Sequence, residues 1–283
     1  MATEMSHGIN PCSPFNPLSQ LESFNLNTPR LNSPNFSLDG KTALVTGGSK
    51  GIGLAMATAL AQAGADVTLV ARDAATLSAA KAALLSQGLA CTTVQLDITD
   101  SVALNAYIAT APVFDVLINN AGATRNSPLV DMDEAFYDMV MSLNVRAMFM
   151  LTKAWLKRVQ AAKDGRPRSV INVSSQMGHV GGPKRALYCA SKHAMEGFTK
   201  ALAWEVAKDH VRVNTICPTF IETELTKPYL ADPEFRTFVT SRIARGTLGQ
   251  LHEIMGPVIF LASDASSLMT GSALMLDGGW TAQ

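Results

Sequence analysis

From about residue 38 onward, short apolar runs alternate with longer stretches whose apolar residues recur at helical spacing. The runs 41–46, 66–71, 91–96, 115–119, 169–173, 211–216 and 273–276 are four to six residues long, and most are rich in β-branched side chains. They read as buried strands. Between them, 54–63, 74–87, 101–110, 132–160, 185–207 and 252–262 carry the helical spacing and read as helices. Repeated strand–helix units predict an α/β fold: a single-domain, doubly wound parallel sheet of the Rossmann type with helices on both faces. The pattern is interrupted at 219–248, a variable stretch expected to form a substrate lid. It is absent from residues 1 to about 36, which are rich in Asn, Pro and Ser. Proline breaks any helical reading there. The expectation is a flexible extension, with an arm packing on a neighbouring subunit through Phe15, Leu18, Leu21 and Phe24 as the alternative. Residues 37–283 then make up the domain.

Composition narrows the class. The chain has 283 residues and is 47% apolar, ample for one sizeable core. Lys and Arg number 23 against 23 Asp and Glu, with no basic run, so nucleic acid and charged membrane surfaces are excluded as expected partners. No apolar stretch reaches the roughly 18 residues a membrane span needs. The extension has Arg30 as its only Arg or Lys and no apolar block, which fits neither a secretory nor a mitochondrial leader. Cys12, Cys91, Cys189 and Cys217 are scattered without metal spacing, so no metal site is expected. They fit a reducing compartment, hence a cytoplasmic protein.

The candidate chemistry lies at the strand ends. The first strand runs into Gly47-Gly48-Ser49-Lys50-Gly51-Ile52-Gly53 and then a helix, the context in which a glycine-rich turn holds a dinucleotide pyrophosphate. The second strand ends in Ala71-Arg72, not in a carboxylate, and Lys50 adds a second positive charge. A guanidinium there suits a 2′-phosphate, so NADP is favoured, while the neighbouring Asp73 keeps NAD open. Tyr188 and Lys192 lie four apart on one face of a helix. An ammonium one turn away is expected to lower the tyrosine's pKa and suit it to proton transfer.

Several motifs resemble those of the short-chain dehydrogenase/reductase family. The stretch from Thr46 to Gly53 resembles its TGxxxGxG turn, Asn119-Asn120-Ala121-Gly122 its NNAG motif, and Tyr188 to Lys192 its YxASK motif. Ser175 stands thirteen residues before Tyr188, and Asn144 matches the family's catalytic asparagine. Arg212-Val213-Asn214 and Asp277-Gly278-Gly279 are similar to its structural landmarks. The resemblance implies hydride transfer between NADP(H) and a ketone or secondary alcohol. It makes Tyr188 the proton donor, Ser175 the group that aims the carbonyl oxygen, Lys192 the partner of Tyr188 and of the nicotinamide ribose, and Asn144 the holder of a water. Cofactor contacts are implied for Gly47, Ser49, Lys50, Gly51, Ile52, Gly53, Arg72, Asp97, Ile98, Asn119, Ala121, Gly122, Pro218, Ile221 and Thr223. The usual Pro-Gly is Pro218-Thr219 here, so either the backbone needs no positive φ at that point or the loop differs.

Within the family the chain looks most like the ketoacyl-carrier-protein reductases and the gluconate or sugar-ketone reductases. The stretches 119–125, 232–235 and 263–267 suggest the gluconate-type branch. Met177, His179 and Leu187 flank the tetrad and are expected to line the substrate pocket. Arg125 is a candidate for a substrate carboxylate or phosphate, or else for the surface or a subunit interface. A homotetramer or homodimer is implied by likeness alone. A redox sensor of the same fold is the alternative reading, and loss of a catalytic residue would mark it; all four are present.

Overall fold

Seven parallel strands form one sheet in the order β3-β2-β1-β4-β5-β6-β7. They are β1 (Thr42–Thr46), β2 (Asp66–Ala71), β3 (Cys91–Gln95), β4 (Val116–Asn119), β5 (Arg168–Val173), β6 (Val211–Pro218) and β7 (Ala273–Leu276). This computed structural model describes residues 33–282, and Asn35–Gln283 is one compact unit. The extension and arm expected before it fall, for residues 1–32, outside the described residues.

The strands alternate their side chains between two apolar layers, as a period of two requires. In β1, Ala43 and Val45 face one layer and Leu44 the other; in β4, Val116 and Ile118 face the first and Leu117 the second. The first layer is closed by α1 (Gly51–Gln62), α2 (Ala74–Leu85) and α9 (His252–Ala262), through Met56, Leu60, Leu77, Leu84, Ile254 and Val258. The second is closed by α3 (Ser101–Thr110), α5 (Met148–Ala162) and α6 (Ala186–Val206), through Leu104, Ile108, Leu151, Trp155 and Leu202. Trp155 is 1% exposed and its indole N–H donates to Phe114 O at 3.0 Å. Its apolar body and its polar tip are therefore both satisfied, which is what a buried Trp requires.

The chain runs outward from β1 to β3, then returns to place β4 on the other side of β1. Such a reversal opens a crevice beyond the carboxyl ends of the two central strands. Four predicted runs, 66–71, 101–110, 252–262 and 273–276, coincide with β2, α3, α9 and β7. One expectation needs correction, and one stretch gains detail. The single helix expected over 132–160 is α4 (Glu134–Met141), a π-helical turn (Ser142–Ala147) and α5 in succession. The π turn inserts an extra residue and carries the poor helix former Asn144 at 0% exposure. The 219–248 stretch contains two helices, α7 (Lys227–Leu230) and α8 (Pro233–Arg242). The second is started by Asp232, whose carboxylate accepts from Glu234 N at 3.0 Å, with Pro233 in its first turn. That pairing is a helix-start signal in the sequence.

Candidate active site

The glycine turn is built for close approach. Gly47 and Gly51 have φ of 62° and 55°, which only glycine adopts cheaply. A Cβ at Gly53 would lie 2.2 Å from Gly47 O and 2.4 Å from Asn120 Nδ2, so no other residue fits there. Asn120 fastens this turn to the end of β4: its Nδ2 donates to Thr46 O at 2.9 Å and Gly47 O at 3.2 Å. Thr46 Oγ1 accepts from Asn120 N at 3.0 Å and donates to Ile118 O at 3.1 Å. α1 then starts with no side-chain cap and no acidic residue in its first turn. Its first N–H groups therefore face the crevice without an internal claim, as a pyrophosphate site requires.

Arg72 and Lys50 are exposed at the end of β2 and in the turn, respectively. Asp73, which kept NAD open, caps α2 by accepting from Thr76 N at 2.7 Å. Its Thr76 hydrogen bonds and the Lys50 charge hold it below the usual carboxylate range. Asp97 Oδ1 accepts from Thr99 N at 2.9 Å and Thr99 Oγ1 at 2.7 Å. Burial raises its pKa, but these bonds and the Arg72 charge outweigh that and lower it. Ile98 beside it is buried. Thr219 does not have a positive φ, so the missing glycine is accommodated without strain. Pro218 ends β6, and Ile221 pairs with Gly249 by an isolated bridge. Thr223 lies against the glycine turn, its Cγ2 3.8 Å from where a Gly51 Cβ would stand. Ala121 packs against the core, and Gly122 lies against the Asn144 amide. Asn119, expected to line the crevice, is buried at the end of β4, its amide donating to Thr152 Oγ1 at 3.0 Å and Asn172 Oδ1 at 2.8 Å.

Ser175, Tyr188 and Lys192 meet where β5 ends and α6 begins. Ser175 Oγ donates to Gln176 Oε1 at 2.7 Å and accepts from Met177 N at 3.2 Å. Lys192 is 4% exposed, and its ammonium donates to Val173 O at 2.7 Å. That ammonium lies 5.6 Å from the centre of the Tyr188 ring. Burial pulls its pKa down to about 8, opposed in part by the Glu196 charge. The expectation of a lowered tyrosine pKa is corrected: burial pushes Tyr188 up, and the Ser175 hydrogen bond and the Arg185 charge offset this only in part. Asn144, expected to hold a water, has its side-chain amide fully engaged. Its Nδ2 donates to Ala123 O at 3.0 Å and Ser191 Oγ at 3.1 Å, and its Oδ1 accepts from Ala123 N at 2.8 Å. The amide ties the loop after β4 to α6.

The expected pocket residues separate. Met177 is buried in an apolar cluster with Cys189 and Leu230. Leu187 is buried against Phe136 and Val140 of α4, so it is packing and not an open pocket wall. Arg125 is exposed, its guanidinium stacked 4.1 Å from the centre of the Phe136 ring. His179 Nε2 lies 3.3 Å from Glu196 Oε1 and 3.5 Å from Cys217 Sγ. Glu196 Oε2 accepts from Thr215 Oγ1 at 3.1 Å, and the Cys217 thiol donates to Glu196 Oε1 at 3.3 Å. Burial, then the Glu196 charge, push the Cys217 thiol up to about 12, so it stays protonated. The sequence assigns no individual role in the site to Asn120, Arg185, Glu196 or Cys217. Glu196 stands one turn beyond Lys192 on the same face of α6, which was a visible signal. The position of Cys217 beside it depends on the pairing of β5 with β6, which no local pattern carries.

A glycine turn opening a helix at the switch point, with a half-buried tyrosine, a buried lysine one turn on and a serine beside them, defines a dinucleotide-binding oxidoreductase. The comparisons agree. The family model described as enoyl-(acyl carrier protein) reductase matches residues 47–281. Gluconate 5-dehydrogenase of Gluconobacter oxydans (strain 621H) is 37% identical over 251 residues, spanning 87% of this chain and 96% of that protein. A 3-oxoacyl-[acyl-carrier-protein] reductase of Vibrio cholerae is 38% identical over 249 residues, spanning 86% and 98%. The crystal structure of a gluconate 5-dehydrogenase from Burkholderia cenocepacia J2315 with NADP and tartrate superposes with a TM-score of 0.83 at 31% identity, covering 88% and 98%. The chain belongs to the short-chain dehydrogenase/reductase family, in the branch of the ketoacyl reductases and gluconate dehydrogenases. It is an oxidoreductase acting on CH–OH groups and the matching ketones. Among the described residues, no helix is long and apolar enough to cross a membrane.

Proposed function

We propose that this protein is an NADP(H)-dependent reductase of a small ketone, of the keto-sugar, keto-acid or 3-ketoacyl type, running in reverse as a secondary-alcohol dehydrogenase. The observation that carries the reading is the convergence of Ser175, Tyr188 and Lys192 beyond the carboxyl end of β5, the same edge of the sheet as the glycine turn after β1. When bound, the nicotinamide supplies or takes the hydride. Gly47, Ser49, Lys50, Gly51, Ile52 and Gly53 hold the pyrophosphate, Arg72 and Lys50 the 2′-phosphate, and Thr223 closes over the turn. Tyr188 gives its proton to the carbonyl oxygen. The raised pKa keeps the phenol protonated at neutral pH, the form that reduction needs. Ser175 releases Gln176 and donates to the same oxygen, stabilising charge as it develops. Lys192 holds the nicotinamide ribose and replaces the proton Tyr188 has lost. Asn144 acts as a positioning residue through Ala123 and Ser191.

Residues 37–283 serve as one catalytic domain, with 219–248 as its lid. A homotetramer or homodimer in the cytoplasm completes the reading. The large apolar side chains Phe149 on α5 and Trp204 on α6, 47% and 90% exposed, support an assembly through these helices.

The test is a turnover panel with NADPH and NADH against 5-ketogluconate, sorbose, an acetoacetyl thioester and a bulky aromatic ketone. Turnover of one class with NADPH supports the reading. Tight NADPH binding with no turnover of any carbonyl would instead favour a sensor. The cofactor assignment has its own check. Arg72→Ala should raise the KM for NADPH about ten- to a hundredfold, the loss of one charge-assisted phosphate contact, and change that for NADH little. An equal rise for both cofactors would remove Arg72 from the phosphate site.

A further inference from the structure

Two arginines are buried among the described residues, Arg168 and Arg185, at 4% and 7% exposure. Arg168 makes a forked pair with Asp164, donating at 2.9 Å and 2.6 Å. Arg185 has no such partner. Its only side-chain hydrogen bond among the described residues runs from Nη1 to Thr124 Oγ1 at 2.9 Å. A guanidinium carries five N–H donors, so most of its capacity is unused. The groups that act on its charge are Tyr188, Tyr229 and Cys189, and no carboxylate is among them. A largely buried charge without a counter-ion is costly and is retained where something else repays it.

Its position shows what that is. Arg185 stands at the start of α6, one turn before Tyr188 and on the same face. Its guanidinium carbon lies 5.9 Å from the centre of the Tyr188 ring and 5.8 Å from that of Phe220, at the start of the lid stretch. Thr124, which holds it, belongs to the loop after β4. The charge thus sits between the proton donor, the loop beside the crevice and the lid. Lys184 immediately before it has φ of 59°. A non-glycine residue there is strained, and strain of this kind concentrates at ligand-binding sites.

We infer that Arg185 is the anion subsite for the substrate and that the substrate is a small keto acid, its carboxylate on the guanidinium fork and its ketone at Tyr188. The inference rests on the reading of Tyr188 as proton donor. A planar fork matches a carboxylate with two parallel hydrogen bonds. One guanidinium supplies one charge, which matches a monoanion and leaves a phosphate dianion half compensated. Arg125, exposed and stacked on Phe136, is replaced in this role by Arg185.

The test compares wild type, Arg185→Met and Arg185→Lys on 5-ketogluconate and on sorbose, which has the same carbon count and no charge. In parallel, the binding of gluconate, sorbitol and sorbitol 6-phosphate is measured by calorimetry. Arg185→Met should lose about a hundredfold in kcat/KM on the acid, the scale of stranding one buried charged partner, and far less on sorbose. Arg185→Lys keeps the charge without the fork and should recover part of the loss. Gluconate should bind wild type and not Arg185→Met, and sorbitol should bind both weakly. Equal losses on acid and sugar would reduce Arg185 to a structural residue and overturn the inference. Tighter binding of sorbitol 6-phosphate than of gluconate would overturn the carboxylate assignment. If wild type turns over neither ketone, the keto-acid and keto-sugar parts of the proposed function fail, and the gluconate arm still decides the subsite: binding lost in Arg185→Met upholds it, and equal binding by both removes it.

Discussion

Tyr188→Phe is expected to lower turnover by two to four orders of magnitude, the usual worth of a positioned general acid, while leaving the protein folded and NADPH affinity within a few-fold. The substitution removes one oxygen. The ring keeps its place against the apolar cluster that includes Met177, Cys189 and Leu230. Burial already raises the phenol's pKa, so the neutral hydroxyl is what the site holds, and its loss leaves no stranded charge. Ser175 keeps Gln176 as a partner at 2.7 Å. Single-turnover absorbance of NADPH with an accepted ketone, read beside NADPH binding by fluorescence, separates chemistry from affinity. A variant that turns over at the wild-type rate would transfer the proton donation to another group. A variant that loses NADPH binding to the same degree would make Tyr188 a binding residue first.

The position of the tyrosine was legible in the sequence, and its electrostatics were not. A spacing of four places Tyr188 and Lys192 on one helix face, and the glycine turn announces itself because it follows a strand and opens a helix. Those are local patterns. The pKa of Tyr188 depends on how deeply the end of α6 is covered by the lid cluster, which is a matter of tertiary packing. The same holds for Asn144: its oddity inside a helical run was visible, but the π turn that directs its amide at Ala123 and Ser191 was not. Arg185 was missed for a different reason. Arg125 stands in a familiar motif and drew attention, whereas an arginine's importance here comes from the absence of a partner, which only coordinates reveal. α8 was missed although Asp232-Pro233 marked its start, because the stretch around it departs from the regular strand–helix alternation.

The ammonium of Lys192 sets up the last expectation, because its burial links stability to pH. In an unfolded chain the group titrates near its ordinary value of 10.5; burial in the folded protein pulls it down to about 8. Below about pH 8 both states carry the proton, and the folded state bears the whole cost of burying it. Between about 8 and 10.5 the unfolded chain holds a proton that the folded protein has released, so folding stability rises with pH across that window. Lys192→Met has the same reach and no charge. Urea unfolding of both proteins from pH 7 to pH 10.5 should show the variant more stable at pH 7, and wild type gaining on it by about 3 kcal/mol across the window. The carboxylates and histidines common to both proteins cancel in this difference. A difference that stays flat with pH would mean that Lys192 is not held below its ordinary range. The variant should be close to inactive at every pH. Removing the charge would then strengthen the fold and silence the site, because the position that lets Lys192 serve Tyr188 is the one where an ammonium is least well solvated.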